Sequence, residues 1–338
     1  LVAGSIPAGP TGAFWLEQGM RVVGSGSPTD GSAGASLVGP FEETGSMPLV
    51  TLALIWGSSF LWIKIALRGL APAPMTAVRL VLGALVLLAY ARLHNVRLPR
   101  GPAVWRHLTV AAIVANVIPY FLFAYGEQQV DSAIAGILNA ATPLWTVLIA
   151  TTVGLERRPT ARKLVGVVVG FGGAVLIFEP WSSGSQVMSR GGIACLVAAA
   201  CYGVGYVYMT RFLAGRGLTP LALSAGQLVA ASAASAAALP FVGWTGTVLR
   251  ADAVAAVLIL GVLGTGIAYV LNYRLISEGG ASAASVVTYL IPVVAVLLGT
   301  LTLREALPLN VLAGMLVVLT GVALVRSESA APAAASGP

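Results

Sequence analysis

The sequence has 338 residues, of which 57% are hydrophobic and 9% are charged, with a mean hydropathy of +0.90 and a formal net charge of +7. This composition lies far outside the range of soluble globular domains and indicates a membrane protein. The basic residues stand in short turns between apolar segments, where they orient a chain in the bilayer, so the positive charge does not indicate a nucleic-acid partner.

The first 46 residues are rich in Gly, Ser, Pro and Ala and contain no apolar stretch long enough to cross a membrane. We expect residues 1–46 to be disordered, as either a floppy tail or a leader that is not translated, because Met47 stands immediately before the first hydrophobic segment. Residues 327–338 have a similar composition and are predicted to form a disordered tail.

Ten apolar segments of membrane-spanning length follow the leader. Such long runs without alternation predict helices, because helices satisfy their own backbone polar groups in lipid. The predicted fold is therefore an all-α integral membrane bundle of ten transmembrane helices. The segments are 48–68, 74–91, 104–124, 130–152, 162–179, 191–213, 220–240, 252–275, 281–302 and 308–325.

The turns between the segments differ in basic charge. If the N-terminus is cytoplasmic, twelve Lys or Arg residues lie on the cytoplasmic side and five on the opposite side. This asymmetry predicts that both termini are cytoplasmic. The cytoplasmic set is Arg92, Arg97, Arg100, Arg106, Arg157, Arg158, Arg162, Lys163, Arg211, Arg216, Arg274 and Arg326, and the outer set is Lys64, Arg68, Arg190, Arg250 and Arg304.

The fourth and ninth segments share residues at a constant offset of 149 positions, which predicts an internal repeat. The repeat divides the chain into two five-helix halves, 48–180 and 190–326. Because each half has an odd number of spans, the second half is inverted in the membrane, an arrangement that many secondary transporters use for alternating access. The matching pairs are Pro143 and Pro292, Glu156 and Glu305, Pro159 and Pro308, and, one segment earlier, Tyr120 and Tyr269.

Three stretches carry a resemblance to a known family. They are "WGSSFLWIKIAL" followed by Pro74 and Arg79, "GILNAATPLWTVLIATTVGLERRPTARKLVGVVVGFGGAVLI", and "LREALPLNVLAGMLVVLTGVALV". Over residues 48–325 the chain resembles the EamA family of the drug/metabolite transporter superfamily. The resemblance implies a ten-helix carrier of the bacterial inner membrane, often an exporter of amino acids or other small metabolites, with a central cavity between the halves.

The paired prolines indicate where that cavity lies. Proline has no N–H, so Pro143 leaves the carbonyl of Asn139 without its helical donor and Pro292 does the same to Thr288. Interrupted helices are tolerated at membrane depth where protein or a water-filled cavity satisfies the free carbonyls. The alternative is a kink that only improves packing.

Polar and aromatic residues recur on single faces of several segments, as a cavity lining requires. A buried Asn needs a hydrogen-bond partner, so the asparagines are expected to face the bundle interior, whereas some aromatics belong instead to interfacial belts. The predicted solute-binding set is Trp56, Arg79, Asn116, Tyr120, Asn139, Tyr202, Tyr206, Tyr269, Asn272 and Thr288.

Few ionisable residues lie inside the segments. Arg79 is expected either to snorkel to the surface or to offer a cation to the cavity, and Lys64 is expected to snorkel. No Asp or Glu occupies the centre of a segment, which favours a neutral, zwitterionic or anionic solute. Proton coupling would require Glu127 or Asp131 in the turn between the third and fourth segments.

Other classes of protein find less support. His94 and His107 are far in sequence from acidic pairs, and no catalytic motif, metal-ligand spacing or cofactor fingerprint is present, which argues against an enzyme. A non-transporting sensor or scaffold and a drug efflux carrier remain alternatives. Gly166 and Gly170 form a GxxxG motif that permits a close helix contact, either within the bundle or in a homodimer.

Overall fold

The computed structural model describes residues 47–156, 159–178, 181, 184–242, 247–294 and 309–329. These residues form helices and short turns, and no β-strand occurs in these ranges. The predicted leader, most of the predicted tail, and Glu305 and Pro308 of the repeat lie outside the described residues.

The described residues of the first half form seven helices and one π-helical segment. Proline stands in the first turn of α2 and α3, where its missing N–H costs no hydrogen bond. The elements are α1 (Met47–Ala66), α2 (Pro72–Leu93), α3 (Pro102–Ala112), a π-helical segment (Ile113–Val117), α4 (Ile118–Gly126), α5 (Ser132–Asn139), α6 (Thr142–Thr152) and α7 (Ala161–Phe178).

The second half has a matching order of elements. A short helix, α8 (Gly184–Val187), precedes it. The elements that follow are α9 (Arg190–Phe212), α10 (Pro220–Val242), α11 (Ala251–Gly261), a π-helical segment (Val262–Ile267), α12 (Ala268–Ser285), α13 (287–294) and α14 (Leu309–Ser329). The last helix extends three residues into the predicted tail.

Seven helices in the described ranges are long and apolar enough to cross a membrane, and Leu312–Val325 is a shorter apolar helix. One of the seven, Ala251–Ser285, is longer than a single span requires. Gly280 interrupts it with φ +72°, a left-handed conformation that favours glycine, so the chain turns between the predicted eighth and ninth segments. The all-helical membrane fold agrees with the sequence, while the count of ten spans stays a prediction.

Helices α7 and α14 pack together through glycines. A Cβ added at Gly166 would lie 3.0 Å from the carbonyl oxygen of Gly321, and one added at Gly321 would lie 2.4 Å from the backbone nitrogen of Gly170. Backbones approach this closely only where side chains are absent. Both glycines of the GxxxG motif therefore serve a contact within the chain.

Candidate functional site

A cavity between the helices is lined by residues from both halves of the chain. Nine of the ten predicted solute-binding residues line it: Trp56, Arg79, Tyr120, Asn139, Tyr202, Tyr206, Tyr269, Asn272 and Thr288. Binding by these side chains stays a prediction, but the structure brings them to one place.

The cavity also contains apolar residues that were not in the predicted set. They are Phe60, Ile63, Ala115, Phe123, Met209 and Ile291. The first two follow Trp56 at intervals of four and seven residues, the spacing of one helix face, and this signal was available in the sequence. The others were not recognisable, because apolar residues occupy every face of these segments.

Arg79 is a buried cation in this cavity, with a relative exposure of 4%. Its Nε donates to Thr265 Oγ1 at 2.7 Å and its Nη2 to the carbonyl of Gly264 at 3.4 Å. The guanidinium carbon lies 3.9 Å from the ring centroid of Tyr120, a cation–π distance. Arg79 forms no salt bridge in the described part of the chain, so the cavity retains a positive charge without a bound carboxylate.

Aromatic rings form one wall of the cavity. Tyr120 meets Tyr202 edge-on at a centroid distance of 6.5 Å, and Tyr202 stacks on Phe123 at 5.8 Å. Phe60 in turn meets Phe123 edge-on at 5.6 Å. The predicted aromatic residues thus lie inside the bundle, where rings hold one another in place and leave a flat apolar surface for a solute.

Several polar atoms in the cavity have no hydrogen-bond partner among the described residues. These atoms are the hydroxyls of Tyr120 and Tyr206 and the Oδ1 of Asn272. By contrast, the hydroxyl of Tyr269 donates to the carbonyl of Ala115 at 2.7 Å, and that of Thr288 donates to the carbonyl of Ser285 at 2.8 Å. A buried polar atom without a partner is energetically costly. A bound solute that hydrogen-bonds to Tyr120, Tyr206 or Asn272 would remove this cost.

Asn116, the tenth predicted residue, does not line the cavity. It is fully buried, and its Oδ1 accepts from Gln227 Nε2 at 2.7 Å, while the hydroxyl of Tyr273 donates to Gln227 Oε1. Asn116 therefore faces the bundle interior as expected, but it binds the side chain of Gln227 on α10 and does not face the cavity. Gln227 was missed, although a polar side chain inside the predicted segment 220–240 carries the same signal that identified the asparagines.

The helix interruptions differ between the halves. In the first half, helix α5 ends at Asn139, and Pro143 lies in the first turn of α6. In the second half the turn falls at Val286, and Pro292 lies within α13, six residues further on. Both interruptions lie beside residues that line the cavity, Asn139 and Thr288, but they are not at equivalent positions.

Lys64 differs from its prediction. Its ammonium group does not snorkel but donates to the carbonyls of Glu127 at 2.7 Å and Val130 at 2.9 Å. Carbonyls at the C-terminal end of a helix lack helical donors and carry partial negative charge, which makes them good partners for a cation. Lys64 thus connects α1 to the turn that follows α4.

Neither histidine and neither cysteine lines the cavity. His107 shares a hydrogen bond with the hydroxyl of Tyr208 at 2.8 Å, and His94 packs on the ring of Tyr90. Cys195 and Cys201 are free thiols, the first buried and the second half-buried. Within the described residues, no group of three or more His, Cys, Asp or Glu residues is arranged to hold a metal ion.

Comparison with known proteins gives a consistent result. The model of the EamA-like transporter family matches the chain twice, over residues 44–179 and 189–327. The uncharacterized transporter YvbV of Bacillus subtilis (strain 168) is 26% identical over 298 residues, covering 85% of this chain and 93% of that protein. An uncharacterized transporter of Archaeoglobus fulgidus is 28% identical, with coverages of 82% and 97%.

Two further matches concern location and fold. The uncharacterized inner membrane transporter YedA of Escherichia coli (strain K12) is 28% identical over 257 residues, covering 75% of this chain and 80% of that protein. A crystal structure of a protein that is 21% identical superposes with a TM-score of 0.69, covering 84% of this chain and 96% of the solved one. At that identity the likeness concerns the fold alone.

Proposed function

The chain belongs to the EamA-like transporter family, and on this premise we propose that it is a secondary transporter of a small metabolite that carries a carboxylate, such as an amino acid. Membership of this family makes it a transporter rather than an enzyme. The proposal includes alternating access by two inverted five-helix halves, export across the inner cell membrane, and cytoplasmic termini.

The observation that carries the choice of solute is the unpaired cation in the cavity. Arg79 is buried and keeps its positive charge, and no salt bridge within the described residues neutralises it. A planar guanidinium matches the geometry of a carboxylate, and burial strengthens the attraction. The same charge repels organic cations, which argues against a carrier of cationic drugs. The free hydroxyls and the aromatic wall then bind the rest of the solute.

Alternating access is supported by equivalent contacts in the two halves. The two π-helical segments begin at Ile113 and Val262, 149 residues apart. Asn116 and Thr265 are separated by the same offset. Arg79 is the eighth residue of α2 and Gln227 is the eighth residue of α10, and these two are 148 residues apart. Arg79 bonds to Thr265 and Gln227 bonds to Asn116, so each half contributes one residue to each bond. Two such related arrangements allow the halves to exchange roles on opening.

Counterflow in vesicles tests the proposal. Purified protein is reconstituted with a panel of labelled amino acids and other small carboxylates inside and outside the vesicles. We expect exchange of at least one carboxylate solute, and we expect Arg79→Lys to impair it at normal protein levels, because an ammonium group cannot reproduce the planar fork.

The control for this variant is Arg68→Lys, since Arg68 is exposed and does not line the cavity. Exchange by Arg79→Lys at the wild-type rate and affinity would place the solute elsewhere. If no member of the panel exchanges, the proposal of a carboxylate solute is wrong.

A further inference from the structure

A second buried ionisable group lies outside the cavity lining. Glu127 follows the last residue of α4 and has a relative exposure of 0%. Its Oε2 accepts from the hydroxyl of Ser132 at 2.9 Å, whereas its Oε1 has no hydrogen-bond partner among the described residues. If Glu127 is ionised, a buried negative charge has one oxygen without a hydrogen-bond donor, which is energetically costly. If Glu127 is protonated, the group is neutral and this cost is smaller.

The groups that face Glu127 come from several elements. Lys64 on α1 binds the backbone carbonyl of Glu127, and Arg79 on α2 and the thiol of Cys195 on α9 are within electrostatic range. The neighbouring acid, Asp131, is exposed and accepts from Gln186 Nε2 at 2.8 Å. Neither cation forms a salt bridge with Glu127, so its charge is only partly balanced.

Burial dominates the titration of this carboxyl group. Removal from water raises the pKa of Glu127 to about 8, although the Ser132 hydrogen bond and the charges of Lys64 and Arg79 act in the opposite direction. The group is therefore mostly protonated at neutral pH and loses the proton as the pH rises through about 8.

Glu127 is also close to the cavity. It stands one helical turn after Phe123, which lines the cavity, and its backbone nitrogen donates to the carbonyl of Phe123 at 2.9 Å. On the other side, Ser132 lies 3.5 Å from the carbonyl of Phe60, a second lining residue. The charges of Glu127 and Arg79 act on each other, so a change of charge at Glu127 is felt at Arg79.

We propose that Glu127 is a proton-binding site, and that proton uptake there strengthens the binding of a solute carboxylate by Arg79. The effect on carboxylate binding rests on the proposed function. When Glu127 is neutral, Arg79 keeps its full attraction for a carboxylate, and when Glu127 is ionised, the two negative charges compete for the same cation. By linkage, the bound carboxylate also strengthens proton binding. One proton and one carboxylate then occupy the protein together. For a monoanionic solute the pair carries no net charge, and for a zwitterionic amino acid it carries one positive charge.

The proton site is tested without any solute. Infrared spectra of the full chain in vesicles are recorded over a pH titration, and the carbonyl band of a protonated carboxyl group is followed. We expect a band that disappears with a midpoint near pH 8 in the wild type. The band should be absent in Glu127→Gln and retained in Asp131→Asn, the matched change at the exposed acid of the same turn. An identical titration in wild type and Glu127→Gln would overturn the proposal.

Two variants retain the carboxyl group and test its surroundings. Ser132→Ala removes a hydrogen bond that stabilises the ionised form, and Arg79→Gln removes a nearby positive charge, so both should move the midpoint to higher pH. These variants decide the matter even if Glu127→Gln does not assemble. Midpoints that stay at the wild-type value in both would contradict the assignment.

The link to the solute is tested with benzoate as a probe carboxylate. Calorimetry should show tighter binding below the Glu127 midpoint than above it in the wild type, and binding that does not depend on pH in Glu127→Gln. Equal affinities in the wild type on both sides of the midpoint would refute the link. Absence of benzoate binding at every pH would count against the carboxylate site at Arg79 and against the link, while the infrared titration alone decides the proton site.

Discussion

Two cations in neighbouring helices show how burial selects partners. The planar group of Arg79 is held by a hydroxyl, a carbonyl and an aromatic ring, and it remains available to the cavity. The ammonium group of Lys64 instead takes two carbonyls at the end of a helix. A delocalised, weakly hydrated cation is better suited to a solute site, and a compact one to a structural contact.

The two equivalent tyrosines are predicted to differ in their effect on transport. Tyr120 has a free hydroxyl, whereas the hydroxyl of Tyr269 is already bound to Ala115. We expect Tyr120→Phe to weaken the affinity for solute by about 1 kcal/mol, roughly fivefold, with little loss of stability. Tyr269→Phe should instead lower the melting temperature, because it leaves a buried carbonyl without its donor. Counterflow and thermal unfolding in detergent measure the two effects, and equal solute affinities in both variants would contradict this distinction.

Glu127 predicts a pH dependence of stability. Its pKa is about 8 in the folded chain and 4.5 in the unfolded one, so between these values the folded state binds more protons. Stability conferred by the proton is then present below pH 4.5 and falls as the pH rises through 8. Thermal unfolding in detergent should show this decline in the wild type and a flatter profile in Glu127→Gln. A wild-type profile that rises across the same window would exclude a proton on Glu127.

The contact between α7 and α14 depends on small residues along one face of each helix. A Cβ at Gly173 would lie 2.6 Å from the backbone nitrogen of Val318, whereas one at Gly172 would meet no atom within 4 Å. Substitution of Gly173 therefore tests packing against α14, whereas substitution of Gly172 tests helix propensity alone. This helix pair joins the last helix of the predicted first half to the last helix of the predicted second half.

Alanine at these two positions is expected to have opposite effects. Gly172→Ala should leave stability unchanged or raise it by up to about 1 kcal/mol, because alanine favours a helix over glycine. Gly173→Ala should lower stability despite the same gain, since α14 must move away. Thermal unfolding of the two variants in detergent makes the comparison. Similar melting temperatures would mean that this contact does not hold the halves together.

The arrangement in the membrane follows from the distribution of basic residues, and it predicts which turns face the cytoplasm. Arg100 and Gln128 are exposed in successive connections and are expected on opposite sides of the membrane. After Cys195 and Cys201 are replaced by Ser, Arg100→Cys should react with an impermeant maleimide only in inside-out vesicles. Gln128→Cys should react only in intact cells. Labelling of both from one side would break the predicted topology.

The sequence alone was sufficient for the class of protein and for most of the residues that line the cavity, while its division into two inverted halves stays a prediction. Length and hydropathy predict membrane helices because lipid demands them, and the 149-residue offset of Tyr120 and Tyr269 relates positions without knowledge of their contacts. The pairing of polar residues across helices required the structure. Gln227 with Asn116, Lys64 with the turn after α4, and the burial of Glu127 all depend on residues that are between 63 and 111 positions apart. Local periodicity identifies an apolar face, but the packing of helices around the cavity decides which polar atoms find partners and which remain free for a solute or a proton.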